Sequence, residues 1–333
     1  MKIAMFEMEE WEERGLKELS DQHQVETINE KLTEKNVDRF ADFDIISTFI
    51  YSKVDRTVLE RCKNLKLIAT RSTGFDHIDT EYCQEKGISV CNVPTYGENT
   101  VAEHVFALLL AISRKIWDSV CRTQRGDFRN EGLLGFDLKD KTLGVVGTGN
   151  IGLHAIRIAR GFEMKVLAFD VRPREDLARD LGFRYVDLPE LLAASDVVSL
   201  HVPENPKTHH LLAEEQFHQM KDGAIVINTS RGGVIDNRAL LQALIDGKVA
   251  AAGLDVLPEE PAIREEAELP RKIFSSQHDL EKLLTDHLLL RRSNVVITPH
   301  NAFNTREALQ RILDTTRDNI EAFLRGEPRN MVS

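Results

Sequence analysis

Short apolar runs recur through the first hundred residues and are separated by amphipathic stretches. The runs are KIAMF (2–6), DIISTFI (44–50), LKLIATR (65–71) and ISVCNV (88–93). Each is five to seven residues long, mostly apolar, and without strict alternation. That pattern predicts strands buried on both faces. Between them, VDRTVLERCKN (54–64) and HIDTEYCQEKG (77–87) carry the spacing of amphipathic helices. Strands alternating with helices imply parallel strands with helical crossovers, so the leading stretch reads as an α/β unit in its own right.

Residues 94–99, PTYGEN, interrupt the pattern, and TVAEHVFALLLAISRKIWDSVCRTQRG (100–126) then reads as one long helix. Thr100 and Glu103 fit a capping box at its start. A helix of that length between two α/β units suits a spine or a dimer surface. From residue 141 a second alternation begins, with KTLGVVG, KVLAFD (165–170), SDVVSLHV (195–202), GAIVINTS (223–230), AAGLDVL (251–257) and NVVITPH (294–300) as strands. Six strands with intervening helices predict a doubly wound parallel sheet. A charged stretch at 262–292 breaks the rhythm as a surface insertion, within which HDLEKLLTDHLLLRR can form an amphipathic helix. The segment 306–328 reads as a final helix with no strand after it. It either finishes the second domain or crosses back to the first.

Size and charge narrow the class. At 333 residues the chain suits two domains rather than one core. The net charge of −11 argues against nucleic acid or an anionic membrane as the main partner, since both repel an acidic surface. The four cysteines, Cys62, Cys83, Cys91 and Cys121, form no C-x-x-C pair and do not cluster with histidines at zinc spacing. They read as reduced, mostly buried thiols of a cytoplasmic protein, with no metal expected. The N-terminal apolar run is too short and too acidic for a signal peptide. VFALLLAI (105–112) falls well below the ~20 residues of a membrane span.

Gly147, Gly149 and Gly152 form G-x-G-x-x-G in VVGTGNIG (145–152). The first glycine allows the tight turn, the second lets backbone approach a pyrophosphate, and the third lets helix and strand pack closely. The motif follows strand-like LGVV and precedes helix-like IGLHAIRIARGF, the context in which it binds a dinucleotide. Thr148, Asn150 and Ile151 complete the loop, and the helix N-terminus directs free N–H groups at phosphate. The next strand ends in Asp170, which can accept from adenosine ribose hydroxyls and repel a 2′-phosphate. NAD is therefore expected over NADP, with Arg172 as the residue that could soften the preference.

Three later strand ends carry polar groups. NTSRGGVID places Arg231 just after a strand, GLDVLPEEP places Asp255 at a strand end with Glu260 beyond it, and VITPHNAF places His300 after the last strand. Ligands of open parallel sheets bind beyond the carboxyl ends of the strands. Arginine can bind a carboxylate and polarise a carbonyl, and histidine can give or take the proton of an alcohol oxygen. A glutamate bonded to that histidine fixes its tautomer and favours its charged form. Beside a nicotinamide, this set suits reduction of a 2-oxo acid. Taken singly, each residue also fits a structural role as ion pair, solvated surface or helix cap.

RSTGFDHID, NVPTYGENTVAEH, VVGTGNIG, INTSRGGVID, GLDVLPEEP and ITPHNAF stand in one order along the chain. On these stretches the sequence resembles the D-isomer-specific 2-hydroxyacid dehydrogenases over nearly its whole length, and within them the D-lactate branch. The resemblance implies Arg231, Glu260 and His300 as catalytic residues. It implies that backbone N–H groups at Thr73 and Gly74 hold the substrate carboxylate, that Tyr96 contacts substrate, and that Asp255 meets the nicotinamide carboxamide. It further implies two Rossmann-like or flavodoxin-like domains. The NAD-binding domain (98–302) is inserted in the substrate domain (1–97 plus 303–333), with residues 98–140 forming a homodimer. Both domains contribute to the active site, and the late glycine motif follows from the insertion. Two positions depart from the family pattern. Pro258 replaces an acid, which affects the loop more than the chemistry. Asn304 stands where lactate enzymes often carry an aromatic, which weakens the lactate assignment.

Phe49, Ile50 and Tyr51 in STFIYSK (47–53) offer a small apolar pocket in place of the cations a phosphorylated substrate needs. Pyruvate and D-lactate are the first expectation, with larger 2-oxo acids, hydroxypyruvate and glyoxylate next. An NAD(H)-sensing corepressor-like binding protein is the alternative from another class. Formate oxidation is disfavoured because that branch places glutamine at the Glu260 position.

Overall fold

A computed structural model describes residues 1–258 and 280–332. The chain divides into two compact units, Met1–Tyr96 with Asn304–Ser333, and Gly97–Phe303. In the first unit, β1 (Lys2–Met5), β2 (Gln24–Thr27), β3 (Ile45–Thr48), β4 (Leu67–Thr70) and β5 (Ser89–Cys91) form one sheet in the order β2-β1-β3-β4-β5. Every pairing is parallel. This is the flavodoxin-like order. Successive strand residues point to opposite faces. Ala4, Ile46, Ile68 and Val90 enter one core cluster, while Ile3, Met5, Ile45, Leu67 and Ala69 enter another. Both faces are covered, which is why these strands read as unbroken apolar runs.

β2 was not expected from the sequence. QVET alternates polar and apolar positions at the sheet edge, and its residues are only partly buried. The helices between strands are also shorter than their amphipathic spacing suggests. These are α1 (Lys17–Gln22), α2 (Arg56–Leu59) and α3 (Thr80–Lys86). Asp55 caps α2 through Val58 N–H, and Asp79 caps α3 through Tyr82 N–H. The last helix, Arg306–Leu324, packs in this unit: its Leu313 and Ile320 join the cluster of Ile3 and Met5.

The second unit begins with α4 (Glu98–Ser113) and α5 (Ile116–Gln124). The single long helix expected here is two. Lys115 takes a left-handed backbone (φ +51°), and the Ser113 carbonyl accepts the Phe136 N–H at 3.0 Å instead of continuing the helix ladder. The expected capping box is absent as well. The helix starts earlier, with Gly97 as its cap, so Thr100 lies inside the helix and is buried.

Among the described residues the second sheet has seven strands, one more than the alternation suggests. They are β6 (Thr142–Val146), β7 (Lys165–Phe169), β8 (Arg184–Tyr185), β9 (Val197–Leu200), β10 (Ala224–Asn228), β11 (Val249–Leu254) and β12 (Val295–Ile297). The unanticipated β8 is two residues at an edge, too short to register as a pattern. The order β12-β11-β10-β9-β6-β7-β8 is wholly parallel and reverses direction between β6 and β9. This is the dinucleotide-binding arrangement of a doubly wound sheet. Helices α6 (Asn150–Gly161), α7 (Glu175–Leu181), α8 (Leu188–Ala194), α9 (Glu214–Gln219) and α10 (Asn237–Ile245) connect the strands. Within the charged insertion, α11 spans Leu280–Leu290, and residues 259–279 lie outside the described residues. The final helix of the first unit, Arg306–Leu324, is α12. Among the described residues no helix is long and apolar enough to cross a membrane, and all four cysteines are free thiols.

Candidate active site

The glycine loop joins β6 to α6. Gly147 has φ +95°, and a Cβ there would lie 2.6 Å from the His201 carbonyl. A Cβ on Gly152 would lie 2.1 Å from the Gly147 carbonyl, so the helix can approach the turn only because that residue is glycine. A Cβ on Gly149 meets no atom of the described residues within 4 Å. Gly149 caps α6 without a side-chain hydrogen bond, leaving the N–H groups of Asn150, Ile151 and Gly152 at an open helix start. These donors and the unfilled space over Gly149 fit a pyrophosphate.

Thr148 behaves differently from its neighbours. Its N–H and hydroxyl both bond Asp170 Oδ2, at 2.7 and 2.9 Å, so they face into the unit. Tyr185 meets the same hydroxyl at 2.8 Å, and Arg174 donates to the Thr148 carbonyl. Burial opposes ionisation of Asp170. The Thr148 and Arg172 N–H groups, the Thr148 hydroxyl and the Arg174 charge outweigh that cost and hold its pKa below the usual carboxylate range. The result is a fixed anion where β7 ends, suited to accept from ribose hydroxyls.

Arg231, Asp255 and His300 follow β10, β11 and β12, three neighbouring parallel strands, and so gather at one edge of the sheet. Asn228 ends β10 and organises the first turn, accepting from Ser230 N–H at 3.0 Å and donating to the Arg231 carbonyl at 2.9 Å. A Cβ on Gly232 would lie 2.4 Å from Pro258 N, so this turn lies directly against the segment leading to Glu260. Glu260 itself is outside the described residues.

Asp255 is 1% exposed and acts as a hub. Its Oδ1 accepts from the Thr298 hydroxyl at 2.5 Å and Asn301 N–H at 3.0 Å, and its Oδ2 from Ala302 N–H at 2.9 Å. His104 on α4 lies 3.5 Å from Oδ1 and bonds Thr298 at 3.0 Å. Burial raises the Asp255 pKa, but the bonds from His104, Thr298, Ala302 and Asn301 outweigh it and leave the group ionised. His300 sits within this framed turn in a left-handed backbone (φ +52°). Nearby, Thr229 Oγ1 and Asn301 Oδ1 are buried with no hydrogen-bond partner among the described residues. Such orphans are rare, and a polar ligand at the strand ends would satisfy them.

In the first unit, Thr73 and Gly74 lie in a bend after β4. The Thr73 hydroxyl donates to the Val93 carbonyl at 2.8 Å. Among the described residues, no protein group accepts the Thr73 or Gly74 N–H. Two unclaimed N–H groups in succession form a cradle for a carboxylate. Tyr96 is partly buried, and its carbonyl accepts from Arg311 at 2.5 Å.

Several neighbours went unassigned in the sequence. His104 lies inside NVPTYGENTVAEH, yet nothing local shows that it meets a strand end 150 residues on. Tyr185 and Arg174 were hidden by the short β8 and its loop. His201 follows β9, and burial lowers its imidazole to about 4, so it is neutral beside the glycine loop, with Ser199 at 2.9 Å.

Residues 106–302 match the family model described as D-isomer specific 2-hydroxyacid dehydrogenase, NAD binding domain. The chain is 37% identical to a D-lactate dehydrogenase of Escherichia coli (strain K12), over 98% of both chains. It is 35% identical to a glyoxylate reductase of Korarchaeum cryptofilum, over 100% of this chain and 96% of that one. Among solved structures, a D-lactate dehydrogenase from Aquifex aeolicus, complexed with NAD and lactic acid, superposes with a TM-score of 0.86 at 36% identity. That match covers 98% of this chain and 96% of the other.

Proposed function

The chain belongs to the D-isomer specific 2-hydroxyacid dehydrogenase family and carries that family's NAD-binding domain at 106–302, and from that premise we propose that it reduces small 2-oxo acids, pyruvate to D-lactate first among them. The observation that carries this reading is the gathering of Arg231, Asp255 and His300 beyond three adjacent strand ends.

When bound, NADH supplies the hydride for the substrate's carbonyl carbon. The Asn150, Ile151 and Gly152 N–H groups would receive the pyrophosphate, with Gly149 giving it room and Gly147 making the tight turn. Asp170 takes the adenosine ribose hydroxyls, and Thr148 serves by fixing Asp170. By the family resemblance the Thr73 and Gly74 N–H groups take the substrate carboxylate, and the Arg231 guanidinium binds the substrate and polarises its carbonyl. Protonated His300 delivers its proton to the carbonyl oxygen. Glu260 acts with His300, and Tyr96 contacts the substrate; both roles rest on the family resemblance. Asp255 orients the turn bearing His300 and stands where the family's acid meets the carboxamide.

Phe49 and Tyr51 support a small apolar substituent. Their rings meet edge to face at 6.3 Å, and no cation in STFIYSK precedes Lys53. Likeness to a glyoxylate reductase supports glyoxylate as a further candidate substrate. A panel of 2-oxo acids assayed with NADH and NADPH tests the assignment. Pyruvate should be turned over well above 3-phosphohydroxypyruvate, and the reverse order overturns it. His300→Ala should lower kcat by roughly 10²–10⁴-fold while NADH still binds by fluorescence titration. Near-normal turnover would remove His300 as the acid.

The protein is further proposed to act in the cytoplasm as a homodimer. Ile116, Trp117 and Val120 on α5, with Phe128 and Leu134 beyond it, are exposed apolar residues within the expected dimer region. Trp117→Glu should shift sedimentation toward monomer. A monomeric parent protein would refute the assembly.

A further inference from the structure

The bend that carries Thr73 and Gly74 is held from behind by three asparagines with no assigned role. Asn92, just after β5, donates from Nδ2 to the Thr73 carbonyl at 2.8 Å. In a planar trans peptide unit the C=O and N–H point in opposite directions. The Thr73 carbonyl and the Gly74 N–H belong to one such unit. Turning the carbonyl toward Asn92 therefore turns the Gly74 N–H away from it, toward the open side. The preceding unit is treated the same way. The Ser72 carbonyl accepts the Val93 N–H at 3.1 Å, which sets the direction of the Thr73 N–H. A hydrogen bond on each carbonyl also polarises the N–H at the other end of its unit.

Asn92 is itself fixed at both of its backbone groups. Its carbonyl accepts from Asn319 Nδ2, on the buried face of α12, at 2.9 Å. Its N–H donates to the Asn330 carbonyl at 3.1 Å. Asn330 Nδ2 closes the ring by donating to Asn319 Oδ1 at 2.8 Å. Asn330 has φ +51°, a conformation that asparagine tolerates better than most residues. Around it the tail pairs with the free edge of β5: Met331 bridges Cys91 antiparallel, and Val332 N–H donates to the Val90 carbonyl at 2.8 Å.

We infer that Asn92, Asn319 and Asn330 form a latch by which the C-terminal tail sets the direction of the two N–H donors at Thr73 and Gly74. They are positioning residues and do not themselves touch the substrate. The inference rests on the reading that those donors hold the substrate carboxylate.

The test uses the full chain loaded with NADH and titrated with oxamate, an unreactive 2-oxo-acid analogue. Asn92→Ala, Asn319→Ala and Asn330→Ala are compared by calorimetry, by hydrogen exchange over 72–74 and by thermal melting. Each variant should bind oxamate about 3- to 10-fold more weakly, as expected for one lost hydrogen bond. NADH affinity should stay within about twofold, and exchange over 72–74 should quicken. Asn330 is exposed, so weaker oxamate binding by its variant at unchanged Tm separates positioning from loss of folding. Oxamate protection of 72–74 in the parent protein, with unchanged oxamate affinity in all three variants, overturns the latch alone. Absence of that protection in the parent overturns the carboxylate assignment, and the latch with it.

Discussion

The His300 N–H donates to the Asp255 carbonyl at 2.9 Å, while the Asp255 carboxylate accepts the N–H groups of the next two residues, Asn301 and Ala302. One buried aspartate thus shapes the turn on which the proposed acid stands. Hydrogen bonds to a charged group contribute about 1.5–3 kcal/mol each. Asp255→Asn sets an NH₂ group against backbone donors and should lower kcat by roughly 10–100-fold. Steady-state kinetics beside a melting curve checks this, and unchanged kcat would remove Asp255 from the positioning of His300.

The glycine loop predicts two variants that fail differently. Gly149→Ala adds a methyl where the protein leaves open space, so Tm should hold while NADH affinity falls at least about tenfold, because the ligand and the methyl compete for one volume. Gly152→Ala drives a methyl to 2.1 Å from the Gly147 carbonyl, so it should cost roughly 1–3 kcal/mol of stability as well. Fluorescence titration and thermal melting separate the two, and equal Tm losses would contradict the geometry.

Asp170→Ser should bring NADPH use toward that of NADH. It removes the anion opposing a 2′-phosphate and leaves Arg172 and Arg174 beside the site. The ratio of kcat/KM for the two cofactors is the measurement, and an unchanged ratio would count against Asp170 as the ribose acceptor.

Acid should destabilise both units through two half-buried histidines, His77 and His201. Burial lowers the His77 imidazole to about 4, with Asp76 opposing the shift, and burial lowers His201 to about 4. Below the ordinary value of 6.5 the unfolded chain takes up protons that the folded histidines refuse. Stability should therefore fall as pH drops from 6.5 toward 4, by roughly 2 kcal/mol per histidine at pH 5. Denaturant titrations of His77→Gln and His201→Gln should each show a shallower pH slope than the parent, and parallel slopes would refute the assignment.

The sequence by itself determined the fold class, the strands of both sheet centres and the family. Strands buried on two faces must be apolar throughout, and the glycine spacing follows from backbone contacts only a few residues apart. Local pattern could not show the edge strands β2 and β8, which are half exposed or two residues long. The break at Lys115 was equally hidden, because the Phe136 N–H that captures the Ser113 carbonyl lies twenty-three residues away. Only the tertiary structure decided that Thr148 faces Asp170, that His104 reaches the Asp255 hub, and that α12 packs with Ile3 and Met5. It likewise decided that Asn330 reaches back toward Asn92. In each case the partners are distant in sequence, and a side chain's direction there is set by what the sheet brings beside it.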